Sequence, residues 1–247
     1  MASPRNVFRW RPGDRFWAVR GPEVREAQAA GWTFTTRTSG PTGADVLVDA
    51  DGTAADFRSV QGALNYVMAT GDTDAPATIT INNGAHRELL YVRGKNNLTL
   101  VGQSRDGVVI EYENYEGFNP GTGSGSDSLA VVAGGGRSLF LVESCDLLTL
   151  ESLTLRSLHG RTGSGDQAET IYFNNNSGRL IAKNVRFQSE QDTLQLKGYS
   201  WLYQSLVEGN VDFIWGANQV PVGLLQPRAD IRRAWRWFRV GPQPVDP

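Results

Sequence analysis

Three segments, SCDLLTLESLTLRS (144–157), NSGRLIAKNVRFQS (176–189) and KGYSWLYQSLVEGN (197–210), follow one plan. Each carries an apolar pair, a short polar bend and a second apolar alternation, the pattern of short strands joined at a corner. The interval from Leu155 to Phe187 is 32 residues and that from Phe187 to Glu208 is 21. The shorter interval is close to one coil of a parallel β-helix, and the longer one leaves room for the loop HGRTGSGDQ (159–167). A repeat of this kind cannot bury its inner face alone and has to stack on its neighbours. The chain is therefore expected to be all-β, a single-stranded solenoid of the parallel β-helix type, with a β-sandwich as the alternative.

Short apolar runs extend the pattern outward on both sides, at 78–81, 97–101, 108–110, 139–142, 147–155, 180–181, 185–187, 193–196 and 202–207. The 28 glycines fit frequent turns. One segment differs. In 56–69, Phe57, Val60, Leu64, Val67 and Met68 recur at helical spacing, with Asp56 as the expected N-cap. That helix would plug the N-terminal end of the solenoid. Residues 114–136, rich in Gly, Ser and Asn, read as a long exposed loop. The expected organisation is an N-terminal extension at 1–43, the β-helix at 44–218, and a Pro/Arg-rich tail at 219–247.

Composition excludes several functions. The formal net charge of -2 provides no positive field for nucleic acid or an anionic membrane. A single cysteine, Cys145, leaves no internal disulfide and no four-cysteine zinc site. With only His86, which follows Gly84, and His159, beside Gly160, a histidine-rich metal centre and a serine triad are set aside, and both histidines are read as exposed turn residues. No apolar run approaches the roughly 20 residues of a membrane span. Residues 1–15 are arginine-rich and show no apolar stretch of an export signal. Gly-x-Ser-x-Gly, a phosphate loop and His-Glu-x-x-His are all missing.

Polar residues at solenoid spacing remain: Gln167, the pair Gln191 and Asp192, then Asp212, at steps of 24 and 20 residues. A 20-residue coil puts Asp192 and Asp212 at equivalent places on adjacent rungs, where strands lie about 4.8 Å apart. Two carboxylates that close do not both ionise freely, so one is pushed toward the protonated form while the other stays an anion. That is the division between an acid and a nucleophile. The alternative is a pair of ordinary turn aspartates.

The segments SEQDTLQL (189–196) and VEGNVDFIWG (207–216), with GDQAETIYF (165–173), KNNLTLVGQS (95–104), DFRSVQGALNYV (56–67) and GVVIEYEN (107–114), resemble the pectin methylesterase (pectinesterase) family over about 46–218. The wording is most similar to its bacterial branch, which includes cell-envelope homologues. The resemblance implies a right-handed parallel β-helix that uses no metal or other cofactor and hydrolyses the methyl esters of galacturonate residues in pectin (homogalacturonan). It implies Asp212 as the nucleophile, Asp192 as the acid and base, and Gln191 and Gln167 as oxyanion donors. Trp215 and Phe213 would stack on sugar rings, with Tyr199 and Trp201 as further candidates. It also implies a secreted or cell-envelope location and, for a capped solenoid, a monomer.

The sequence departs from the family pattern after Asn218. The family continues to a Leu-Gly-Arg-Pro-Trp motif whose arginine holds the nucleophile ionised, whereas 219–247 carries scattered prolines, Trp235, Trp237 and Arg228, Arg232, Arg233, Arg236 and Arg239. The expectation is a C-terminally truncated or frameshifted chain with impaired activity. In GAHREL (84–89), His86 stands where the family has tyrosine. The alternative function is a catalytically inactive cell-envelope or carbohydrate-binding β-helix homologue. A lyase or glycosidase on the same scaffold fits less well, since an amide beside Asp192 suits an oxyanion better than a metal cluster.

Overall fold

The computed structural model describes residues 41–52, 55–119 and 136–216. The tail at 219–247, nearly all of the extension at 1–43 and the middle of the 114–136 loop lie outside the described residues. Strand β1 (Asp45–Val48) is followed by helix α1 (Val60–Thr70) and then by a threefold rhythm of strands. The first coil is β2 (Ala77–Ile81), β3 (Gly84–Arg87) and β4 (Leu90–Arg93), and the second is β5 (Leu98–Gly102), β6 (Val108–Tyr112) and β7 (Phe140–Glu143). The third is β8 (Leu148–Glu151), β9 (Thr154–Ser157) and β10 (Ile171–Asn174), and the fourth is β11 (Arg179–Lys183), β12 (Arg186–Gln188) and β13 (Leu194–Leu196). The fifth is β14 (Tyr199–Tyr203), β15 (Leu206–Glu208) and β16 (Ile214–Trp215).

Every third strand returns to the same sheet. The first sheet runs β1-β2-β5-β8-β11-β14, the second β3-β6-β9-β12-β15 and the third β4-β7-β10-β13-β16, and the pairs are parallel. This is a right-handed parallel β-helix, with the handedness parallel crossovers adopt. A sandwich would need antiparallel ladders. Inward side chains stack in columns: Ile79, Leu100, Leu150 and Ala182 in the first sheet, and Ile110, Leu155, Phe187 and Val207 in the second. All but Val207 are at most 1% exposed, so the columns form a continuous core.

The register corrects several sequence expectations. Phe187 pairs with Val207, so the step there is 20 residues and not the 21 that led to Glu208. The runs 147–155 and 202–207 are each two strands, because Ser152 and Gln204 adopt left-handed backbone (φ 54 and 50) and turn the corner, as Asn184 (φ 53) does between them. Such two-residue bends interrupt an apolar run without a glycine or proline to mark them. Five strands, β1, β3, β4, β10 and β16, add to those expected. They have two to four residues each.

His86 is not an exposed turn residue: it is 3% exposed and pairs with Ile110 in the inward column of the second sheet, with Nε2 3.3 Å from the Asn82 carbonyl. His159 is 6% exposed and also buried. Asn114, at the start of the expected exposed loop, is buried and donates to the Gly136 and Ser138 carbonyls. Cys145 is a buried free thiol, pushed up to about 11 by burial.

The corners differ in length. First-to-second-sheet corners are short, as at 152–153, 184–185 and 204–205, whereas second-to-third-sheet corners span 113–139, 158–170, 189–193 and 209–213 after β6, β9, β12 and β15. This corner takes up the variation in coil length.

Helix α1 covers the N-terminal coil with Val60, Ala63, Leu64 and Val67, which join the core. Its N-cap is Ser59, whose Oγ accepts from Gly62 N at 3.1 Å, and not Asp56. Asp56 is still paired with the strand, accepting from Leu47 N and donating its own N–H to the Leu47 carbonyl. The Glu88 carboxylate, from the end of β3, accepts from Val60 N and Gln61 N at 2.8 Å each, completing the N-terminus with a charge that also suits the helix dipole. Glu88→Ala is therefore expected to destabilise the fold by about 1–3 kcal/mol, more than the roughly 1 kcal/mol of Ser59→Ala, in urea denaturation. Equal losses would show that the carboxylate adds nothing to the cap.

Candidate active site

The parallel bridge Gln191–Val211 and the pairs Leu194–Ile214 and Gln195–Trp215 keep the fourth and fifth coils at a constant 20-residue offset. Asp192 and Asp212 consequently occupy equivalent positions, each just before a strand of the third sheet. Both have left-handed backbone (φ 61 and 46), which Asp tolerates better than most side chains. Asp192 N donates to the Val211 carbonyl at 2.9 Å. Buried hydroxyls clip the coils together: Thr170 Oγ1 to the Thr193 carbonyl (2.8 Å), Ser189 Oγ to that of Ala168 (2.7 Å) and Thr193 Oγ1 to that of Glu208 (2.9 Å). Gly209 permits this closeness, since a Cβ there would lie 2.4 Å from Thr193 Oγ1.

Gln167 lies one coil earlier, tied in through Ala168 N, which donates to the Gln191 carbonyl at 3.2 Å. Its Oε1 is buried without a hydrogen-bond partner among the described residues. The Gln191 side chain lies beside the Asp192 carboxyl and favours its charged form. The structure thus brings Gln167, Gln191, Asp192 and Asp212 to one corner of three successive coils. Phe213 and Trp215 follow Asp212 in the chain, both half-buried. Tyr199 and Trp201 are elsewhere: they project from β14 in the first sheet, where Trp201 stacks on Tyr203 with centroids 5.4 Å apart.

The two aspartates differ in environment. Asp212 is exposed, whereas Asp192 is 6% exposed. Burial pushes the Asp192 carboxyl up to about 6, the negative charge of Asp212 adds to the rise, and Arg137 opposes it.

Arg137, just before β7, is a site residue the sequence reading missed. Its Nε donates to both oxygens of Glu169 (2.9 and 3.0 Å), its Nη1 to Glu116 (3.2 Å) and its Nη2 to Asp192 Oδ2 (3.3 Å). Its guanidinium also lies over the Trp215 ring, 5.6 Å from the centroid. Burial opposes its charge, but Glu169, Asp192 and Glu116 together raise its pKa further. Glu169 is 1% exposed, and burial pushes it up to about 7 against the pull of Arg137. The one available signal was position, since Glu169 lies two residues beyond Gln167 and Arg137 borders an apolar run.

His159 supports this corner from outside. Its Nε2 is 3.0 Å from Asp166 Oδ1, and its ring stacks on Tyr115 at 3.6 Å. Asp166 also accepts from Gly163 N (2.7 Å) and Thr162 N (2.9 Å), which with His159 holds its carboxyl well below the usual range. The same loop is joined to the β6–β7 segment by Glu116 N to the Gln167 carbonyl and Gly117 N to that of Gly165. Among the described residues, no group of three metal-ligating side chains occurs. The cation within the acidic cluster is Arg137.

A family model described as Pectinesterase matches residues 45–226. The chain belongs to the pectinesterase family. Among solved structures it is similar to pectin methylesterase PemA from Erwinia chrysanthemi, at 25% identity and TM-score 0.56, over 73% of this chain and 53% of that one. It is similar to the pectin methylesterase from Yersinia enterocolitica at 27% identity and TM-score 0.53, over 66% of this chain and 52% of that one. A pectin methylesterase in complex with hexasaccharide VII matches at 27% identity and TM-score 0.55, over 71% of this chain and 52% of that one. The chain spans about half the length of these pectinesterase-family structures. No curated protein matches it.

The buried acid makes a testable difference to stability. An unfolded Asp releases its proton near 3.9, while folded Asp192 retains it to about 6. The folded state binds the extra proton in that window, so stability falls as pH rises from about 4 to 6. Asp192→Asn removes this dependence. Thermal denaturation is expected to show the variant gaining on the wild type across the window, and a difference flat in pH would contradict the buried-acid description.

Proposed function

We propose that the protein is a carboxylic ester hydrolase of pectin methylesterase type, acting on methyl-esterified homogalacturonan outside the cytoplasm, at a cell wall or cell envelope. The observation that carries this reading, within a pectinesterase-family chain, is the in-register pair of aspartates, one exposed and one buried. An exposed carboxylate suits a nucleophile that must reach a polymer. A buried carboxyl that keeps its proton suits a leaving-group acid.

In this mechanism an Asp212 oxygen attacks the ester carbonyl carbon, and the carbonyl electrons move onto oxygen. The amide N–H groups of Gln191 and Gln167 stabilise that oxyanion. The tetrahedral intermediate collapses, the C–O bond to the methoxy group breaks, and Asp192 protonates the leaving oxygen to give methanol. The galacturonyl group is then joined to Asp212 as an anhydride. Asp192, now an anion, takes a proton from water as the hydroxyl attacks, and the second collapse returns Asp212 and a free galacturonate. Trp215, with Arg137 against one ring face, offers its other face to a sugar ring, and Phe213 forms the adjoining wall.

The test is methanol release from methylated pectin, with polymer length followed in parallel. Methanol is expected without chain shortening and without sensitivity to a chelator. Asp212→Asn should abolish release, Asp192→Asn should lower it by about 10² to 10⁴, and Gln191→Ala by about 10² to 10³. Polymer binding with no methanol would replace this reading with that of a carbohydrate-binding homologue.

A further inference from the structure

The mechanism above uses Asp192 twice, first as an acid and then as a base. Burial and two nearby carboxylates favour the protonated form: Asp212 from the fifth coil and Glu116 from the β6–β7 segment. With these alone the carboxyl would keep its proton and serve poorly as a base. Arg137 is the one cation in contact with it among the described residues. Its guanidinium is not available to solvent or substrate, because the side chain is 9% exposed and its nitrogens are engaged by Glu116, Glu169 and Asp192. Both oxygens of Glu169 accept from Arg137 Nε, which fixes the plane of the guanidinium and so the direction in which Nη2 points.

We propose that Arg137 is a positioning residue of the ester-hydrolysing site: held in plane by Glu169, it aims the Asp192 carboxyl through Oδ2 and enables it to alternate between acid and base. The proposal rests on the reading of Asp192 as the acid and base. Arg137 differs in position from the arginine of the family's later motif, which serves the nucleophile, since its contact is with the buried carboxyl. Nη2 occupies Oδ2, leaving Oδ1 as the oxygen that exchanges a proton with the substrate. The contact with Trp215 extends the same guanidinium to the sugar-stacking ring, so one buried residue links the acid to the cleft wall.

The test separates this assignment from the enzymatic one by reading Asp192 directly. Carbon-13 carboxyl spectra of the full-length chain, with the Asp192 resonance identified by its loss in Asp192→Asn, give its titration midpoint without substrate. Arg137→Gln is expected to raise that midpoint by at least about one pH unit, the effect of losing an opposite charge at this range. Arg137→Lys should restore part of the shift. If Arg137→Gln fails to fold, the double variant Arg137→Gln/Glu169→Gln removes the buried ion pair as a unit, and its midpoint should exceed that of Glu169→Gln alone by a similar amount. In methanol release, the alkaline limb of kcat/KM should move up with the midpoint. An unchanged midpoint in the folded variant would overturn the proposal. A shifted midpoint in a protein that releases no methanol would uphold Arg137's hold on Asp192 and remove the esterase reading instead.

Discussion

The fixed register between successive coils is the constraint on which the site depends. Parallel backbone hydrogen bonds tie each strand to the one a coil later, and the inward columns of aliphatic and aromatic side chains prevent slippage, because a one-residue shift would turn every core residue outward. The offset of 20 residues between Gln191 and Val211 is therefore set by the whole solenoid. It brings two aspartates together that are remote in sequence, at the coil where the chain turns between sheets. The buried hydroxyls of Thr170, Ser189 and Thr193 reinforce the offset locally, where regular strand pairing is interrupted by the corner.

Charge balance is the second requirement. Arg137 faces Glu116, Glu169 and Asp192, with Asp212 acting on Asp192 from the next coil. One cation cannot neutralise four carboxylates in a poorly solvated corner, so some of them hold protons to unusually high pH. Burial decides which: Glu169 and Asp192 lie inside, while Asp212 lies at the surface. Protonation is thus distributed by depth, and the two aspartates differ although their backbone positions are equivalent.

Much of this was legible before any coordinates. The repeat across 144–157, 176–189 and 197–210 reveals the solenoid because each segment carries two short apolar strands separated by a polar bend. Gln167, Gln191, Asp192 and Asp212 stand out through spacing and family wording together. The misreadings have physical causes. The corners at Ser152 and Gln204 use left-handed backbone at ordinary residues, which composition does not reveal. Segment alignment puts the Phe187 column one residue late because only two residues separate β13 from β14, a shorter corner than those before it. Gly84 close before His86 reads as a turn, yet strand alternation carries the imidazole inward. Arg137 was missed because its partners are 21 residues before it and 32 and 55 after it, and only the coiling of the chain brings them together.

The uneven corners have a consequence for how such a scaffold changes over time. The segments 113–139, 158–170, 189–193 and 209–213 all sit between the second and third sheets, and they hold Glu116, Arg137, Gln167, Glu169, Gln191, Asp192 and Asp212. Loop closure grows costly only slowly with length, and an insertion here leaves the strand ladders in step. The place where the fold accepts extra residues is thus the place where the reacting groups stand. New cleft walls can be grafted there by lengthening a loop, while the remaining corners, short and stacked, keep the ruler by which the aspartates are spaced.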